Sequence, residues 1–209
     1  MILELGQLNE DFSHQDRFQV FSFKDVFSQN CYQALRKGFE TVPWERKEQP
    51  FYEQYEKFFG PHEDHIFTNF YDPAFFLPFK KRLEKELGFS LQNKARLAAH
   101  KQVKADSIGM HNDYAHPAVG HENVRFIFQF SETDVPSSGG ELSFWESKYT
   151  KKELRKFPYR MNYGVCFQIT PYSFHSVSQV ETERYTLVLY LWEEGRKVNE
   201  LANEIVIES

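Results

Sequence analysis

The stretch RYTLVLYLW, Arg184 to Trp192, decides how this chain folds. Its uncharged part, Tyr185 to Trp192, is eight residues long, whereas a membrane-spanning helix needs about 20. Aromatic and β-branched residues instead give it the texture of a strand. In an extended segment Arg184, Thr186 and Val188 share one face while Tyr185, Leu187 and Leu189 share the other. Working back from it, similar runs occupy Leu91–Val103, Asn123–Phe130, Glu141–Glu146 and Asn162–Ile169, separated by turn clusters such as Pro136-Ser137-Ser138-Gly139-Gly140. Short strands at this spacing predict an antiparallel sandwich or a jelly-roll barrel.

The texture ahead of Gly88 differs. Phe18–Phe23 reads as a short strand, and Asp25 as the cap of a helix running to about Glu40 that Pro43 stops. Trp44–Tyr71 mixes aromatics with charges without clean periodicity and is expected to be loop-rich, covering a pocket. Pro73–Leu87 reads as an amphipathic helix with Phe75, Phe76, Phe79, Leu83 and Leu87 as its core stripe and Gly88 as its stop. The expected architecture is one mostly β domain over 1–209: residues 1–90 as helical support and lid, 91–192 as a β core with packed helices, and 193–209 as an extension adding a short helix and an edge strand. At about 100 to 200 residues per domain, 209 residues fit one domain.

Composition narrows the function classes. The 36 aromatic residues and 41% hydrophobic content exclude a disordered chain. Thirty acids against 25 Lys and Arg leave a net charge of -5, which offers no electrostatic footprint for nucleic acid. Nothing at the N-terminus reads as a secretory signal, so a cytoplasmic location and no membrane partner are expected. Cys31 and Cys166 form no CxxC pattern and are expected to be buried free thiols.

The chemistry sits in His111-Asn112-Asp113, followed by His175 and, nine positions after that, Arg184. Residues i and i+2 of an extended segment point the same way, so His111 and Asp113 can aim at one point. His175 from a distant strand would complete two imidazoles and one carboxylate on one face of a metal, the arrangement of a non-haem Fe(II) centre that must also bind a co-substrate and dioxygen. A guanidinium inside a barrel is costly unless it meets an anion. A dicarboxylate co-substrate would supply one to Arg184, with the Thr186 hydroxyl donating another bond.

These pieces resemble the Fe(II)/2-oxoglutarate-dependent dioxygenase superfamily, nearest to its prolyl-4-hydroxylase-like catalytic domain. The matching motifs are Gly109–Asp113, Val124–Glu132, Gly139–Phe144, Phe174–Val180 and Arg184–Thr186, in that order. The resemblance implies a double-stranded β-helix of the jelly-roll, cupin-like kind, preceded by N-terminal helices. It implies iron held by His111, Asp113 and His175, 2-oxoglutarate and O2 as co-substrates, and 2-oxoglutarate's far carboxylate on Arg184 and Thr186. Many members carry a Tyr or another polar residue before the HxD that also contacts 2-oxoglutarate. Here that stretch reads Ala98-Ala99-His100-Lys101-Gln102-Val103-Lys104, and the second contact has no assigned residue. Arg125 is a candidate for a co-substrate or substrate carboxylate, and Trp145 and His116 are candidate substrate contacts.

Asp113 stands where radical halogenases of the superfamily carry a small residue, so hydroxylation is favoured over halogenation. Tyr190 stands six after Arg184, where the nucleic-acid demethylases carry a second Arg. The expected substrate is a small polar molecule such as a free amino acid. Peptidyl, prolyl-type hydroxylation is the alternative, and a cupin-like module that binds metal or a small ligand without oxidising anything is the rival of another class. Oligomeric state is not legible.

Overall fold

The computed structural model describes residues 3–6, 9–15, 17–114, 122–133, 139–196 and 205–207. The chain opens with strands β1 (Asn9–Gln15) and β2 (Gln19–Lys24), followed by helix α1 (Gln29–Gly38). Strands β3 (Glu45–Gln49) and β4 (Tyr52–Phe59) form a hairpin, and helix α2 spans Pro73–Leu87. Then come β5 (Leu91–Gln102), β6 (Ile108–His111), β7 (Val124–Gln129), β8 (Leu142–Trp145) and β9 (Glu153–Phe157). The last strands are β10 (Tyr163–Gln168), β11 (Phe174–Val177), β12 (Arg184–Glu193) and β13 (Ile205–Val206). All pairings are antiparallel, in the order β1-β2-β10-β7-β12-β5-β4-β6-β11-β8-β9, with β13 on β5 and β3 on β4. This is the mostly β jelly-roll, the double-stranded β-helix core with packed helices that the sequence predicts. No helix among the described residues is long and apolar enough to cross a membrane.

The RYTLVLYLW strand lies at the centre, paired to β5 on one side and β7 on the other. Its alternation divides the core as expected. Tyr185, Leu187, Leu189 and Leu191 face outward into a layer shared with α1 and α2, whereas Val188, Tyr190 and Trp192 face the barrel interior. The outward layer is aromatic: Phe79 meets Phe126 edge-on at 5.0 Å, and Phe27 packs on Phe70, Phe75, Phe128 and Phe130. Burying each such ring stabilises by roughly 1.5–3 kcal/mol before entropy is counted. That anchoring holds the interior face of β5, β7 and β12 rigid, and the site is built on this face.

Helix α2 matches the sequence in both bounds. Asp72 accepts from the Ala74 amide at 2.8 Å, Pro73 fits the first turn, and Gly88 ends it at φ 74. Two expectations are corrected. The cap of α1 is Ser28, whose hydroxyl accepts from the Cys31 amide, because Asp25 takes a left-handed turn (φ 53) at the end of β2. Residues 45–59, expected as loop, form a hairpin that joins the sheet between β5 and β6. In its second strand Tyr52, Gln54 and Glu56 line the interior, so polar residues on the inner face hid the usual apolar alternation. The tail contributes β13 as an edge strand, while the helix expected before it lies outside the described residues.

Candidate metal centre and adjoining pocket

β6 ends on His111, and β11 pairs with it in a register that sets His175 opposite His111. The two imidazoles therefore stand side by side, ring centroids 4.2 Å apart. Asp113 follows past the strand end, its Oδ2 3.4 Å from His111 Nε2 and 3.1 Å from His175 Nε2. One ligand atom from each lies within 4.8 Å of the others. The Nδ1 atoms lie 2.9 Å from the carbonyls of Gly109 and Ser173. A carbonyl only accepts, so each Nδ1 carries a ring hydrogen and each Nε2 is turned toward Asp113. Three possible ligand atoms thus converge. Two imidazoles and a carboxylate on one face suit Fe(II) with positions left open.

Asp113 is itself held. Burial works to raise its carboxyl pKa, but Arg125 and the two imidazoles outweigh it and keep the group well below the usual carboxylate range. Arg125 donates through one Nη to Asp113 at 2.6 Å and through the other to Glu122 at 2.7 Å, with its guanidinium 4.9 Å above the Tyr190 ring. Both terminal nitrogens are engaged, whereas the buried Nε has no partner. Arg125 is thus placed to orient the carboxylate.

The triad opens into a cavity of about 190 Å³. Phe51, Tyr52 and Ile108 line it alongside the triad, Ile127, Leu142, Val177 and Val188 make it apolar, and His100, Arg184 and Thr186 give it a polar end. Arg184 is 4% exposed. Its Nε donates to the Gly140 carbonyl at 3.0 Å and Nη1 to Gln102 Oε1 at 2.9 Å, whereas the buried Nη2 has no partner. Burial lowers the guanidinium to about 10, opposed only by Tyr159. A buried cation with one unsatisfied donor toward a pocket calls for an anion, and a carboxylate fits.

Gly140 makes this geometry possible. It sits at φ +73, and a Cβ there would lie 2.9 Å from Arg184 Cδ. Trp145 is on the opposite face of β8 from Phe144, whose ring is 5.9 Å from His175. Its indole donates to Ser176 at 2.9 Å, and it is not among the cavity-lining residues. His116 lies outside the described residues. Sequence reasoning did not single out His100, Gln102, Glu122 or the hairpin residues Phe51, Tyr52, Gln54 and Glu56. The signal for the hairpin was the period-2 series Tyr52, Gln54, Glu56, Phe58, and for β5 the series Ala98, His100, Gln102, which share the face of Thr186 and Arg184.

Comparison with known proteins agrees with this geometry. Residues 96–192 match the family described as the 2OG-Fe(II) oxygenase superfamily. No curated protein matches the chain by sequence. Among solved structures, a Pseudomonas putida prolyl-4-hydroxylase superposes with TM-score 0.68 at 13% identity, covering 84% of this chain and 93% of its own. A prolyl hydroxylase from Trichoplax adhaerens, solved with a hypoxia inducible factor oxygen degradation domain peptide fragment, gives 0.67 at 12% identity, with 84% of each chain covered. A Burkholderia pseudomallei oxidoreductase of the 2OG-Fe(II) oxygenase family gives 0.62 at 14%, covering 88% and 89%. The family uses Fe(II), 2-oxoglutarate and O2. Residues 96–192 thus carry the sequence pattern of the 2OG-Fe(II) oxygenase superfamily, and the jelly-roll built around them, shared with these solved structures, brings two imidazoles and one carboxylate together.

Proposed function

We propose that this protein hydroxylates an unactivated C–H bond of an amino-acid side chain, with His111, Asp113 and His175 as iron ligands and Arg184 and Thr186 as the anchor of 2-oxoglutarate. The observation that carries the reading is the coexistence, in one cavity, of the convergent triad and the unpartnered Arg184 Nη2. A cupin-like binding module needs the first and has no use for the second. Bound iron and 2-oxoglutarate supply the oxidising chemistry. The chain's own residues prepare for it: Gly109 and Ser173 carbonyls fix both rings, Arg125 orients Asp113, and Ile127, Leu142, Val177 and Val188 keep the interior dry.

A substrate presented on a peptide is supported by two features. Phe51, 47% exposed, lies 5.3 Å from the His111 ring and offers an apolar ledge beside the metal site. Two of the structural neighbours are named prolyl hydroxylases, one of them solved in complex with a peptide. A free amino acid is the second reading, favoured by Glu56, a cavity-lining carboxylate able to receive an ammonium group. Two buried free thiols, Cys31 and Cys166, fit a reducing cytoplasm.

The test loads metal-free protein with Fe(II) and 2-oxoglutarate without oxygen and follows the visible charge-transfer band, with His175→Ala as control. The band is expected in the parent and absent in the variant; a parent that binds iron without giving the band would return the protein to the binding-module class. Succinate release with O2, stimulated by proline-containing peptides and not by free amino acids, would support the peptidyl reading, and the reverse pattern would reject it.

A further inference from the structure

The cavity has a second polar wall, opposite in sign to the Arg184 end. It is built on β4, where Tyr52, Gln54 and Glu56 share a face because residues two apart on a strand point the same way, and all three line the cavity. Register with β5 sets Glu56 beside His100, so this wall adjoins the arginine end. Gln54 is 6% exposed. Its amide nitrogen lies 3.5 Å from Glu56 Oε2. A carboxylate only accepts, so the nitrogen is the atom turned toward it, and Gln54 Oε1 is left buried without a partner. Glu56 is half-buried and, among the described residues, has that one hydrogen bond and no ion pair. Of the two cations whose charge reaches it, Lys47 gives its ammonium to Glu45 and Arg96 stacks on the Phe58 ring at 3.7 Å.

A buried carbonyl oxygen and a carboxylate without a counter-ion thus face one space, although polar atoms buried in a protein are almost always satisfied. Burial raises the Glu56 carboxyl above its ordinary value, the sign of an ionised form that lacks compensation. A dicarboxylate anchored on Arg184 brings further negative charge into the same cavity, and like charges repel strongly where water is scarce. A cation at the β4 wall removes both penalties. Two oxygen ligands are too few for calcium or magnesium, which take six or more. A positively charged group with at least two N–H bonds answers Gln54 Oε1 and Glu56 together.

Resting on the oxygenase reading above, we propose that Gln54 and Glu56 determine specificity by receiving a cationic group of the substrate, an alkylammonium or a guanidinium, so that the molecule oxidised is a basic one. Glu56 supplies the charge and one acceptor, Gln54 Oε1 supplies the second acceptor, and Gln54 Nε2 steadies Glu56. The cation has two sources: the side chain of a basic residue, or the α-ammonium of a free amino acid. The assignment also couples two ligands. Because the cation stands beside the arginine end, it and 2-oxoglutarate each tighten the other's binding by the same factor.

The experiment compares parent, Glu56→Gln and Gln54→Leu, each loaded with Zn(II) and 2-oxoglutarate and titrated with n-butylammonium, methylguanidinium, L-alaninamide or, as the neutral control, n-butanol. Binding is read from the ¹H–¹⁵N amide signals of β4. At least one cation is expected to bind the parent, to bind Glu56→Gln roughly 10- to 100-fold more weakly, as for a lost bond to a charged group, and to bind Gln54→Leu about 2- to 10-fold more weakly. n-Butanol should not distinguish the three proteins. Preference for n-butylammonium or methylguanidinium assigns the site to a basic side chain, and preference for L-alaninamide assigns it to an α-ammonium. No cation binding to the parent, or equal affinity for parent and Glu56→Gln, overturns the proposal. Should Glu56→Gln not fold, the parent carries the test: 2-oxoglutarate should bind more tightly with n-butylammonium present than with n-butanol, and equal affinity in the two overturns the assignment. A parent that binds metal and no 2-oxoglutarate strikes the oxygenase reading itself, a result distinguishable from failure of the cation site.

Discussion

Gly140→Ala is the sharpest perturbation of the anion end because a matched control exists in the same chain. Gly140 and Gly88 share almost the same left-handed backbone, φ +73 and +74. Alanine in that region costs about 1–2 kcal/mol relative to glycine wherever it occurs. The surroundings differ. At Gly88 a new Cβ meets nothing within 4 Å, whereas at Gly140 it meets Arg184 Cδ at 2.9 Å, Val180 Cγ2 at 3.6 Å and Arg184 Nε at 3.7 Å. Contact under 3.0 Å forces a shift. Arg184 is fixed by only two hydrogen bonds, to the Gly140 carbonyl and to Gln102. Moving its stem compromises the first and re-aims Nη2. Both variants should therefore lose about 1–2 kcal/mol of stability in urea melts. Only Gly140→Ala should weaken 2-oxoglutarate, by about tenfold, the value of one misaligned charge-assisted bond. Fe(II) affinity should be untouched in both, since the triad lies at the other end of the cavity. Parallel 2-oxoglutarate affinity in the two variants would refute the claim that Gly140 is needed for the arginine and not for its backbone alone.

The other expectations are more direct. Asp113→Ala should abolish both the charge-transfer band and turnover; retained Fe(II)-dependent activity would remove Asp113 from the metal sphere. Arg125→Leu, which removes the guanidinium from the Asp113 carboxylate, should weaken Fe(II) binding by about 10- to 100-fold in a competitive chelator titration, the range for loss of a group that orients a metal ligand; unchanged affinity would rule out an orienting role. Gly164→Ala places a Cβ 2.4 Å from the Phe126 ring and 3.1 Å from Val26, so calorimetry should read a loss of about 1–3 kcal/mol from overpacking, with the metal site intact. Burial pushes the Cys166 thiol well above its ordinary value and raises Cys31 too, so iodoacetamide should label neither in the native protein and both after unfolding.

How much of this was legible depended on whether the signal was local. The helix Pro73–Leu87 announces both ends chemically, through Asp72, Pro73 and Gly88, and the structure returns the same bounds. The central strand was legible because its composition and its alternation agree. The hairpin at 45–59 was not, for a physical reason: in YEQYEKFF the face that turns inward carries Tyr52, Gln54 and Glu56, polar because it lines a cavity. A strand wall of a binding site reads as surface in the sequence, and only the sheet it joins reveals which side is in.

The site divides along the same line. HxD, a distant His and the Arg nine beyond it are a pattern of spacings, so the triad and its anion end could be read as a set. Which residues share that end of the cavity with Arg184 was a matter of register between β5 and β12, and no local rule sets a strand's partner positions. Thr186 faces His100 and Arg184 faces Gln102, whose side-chain carbonyl holds the guanidinium. A motif reports which chemistry is present, and the buried polar atoms left without partners report how one chain has built it.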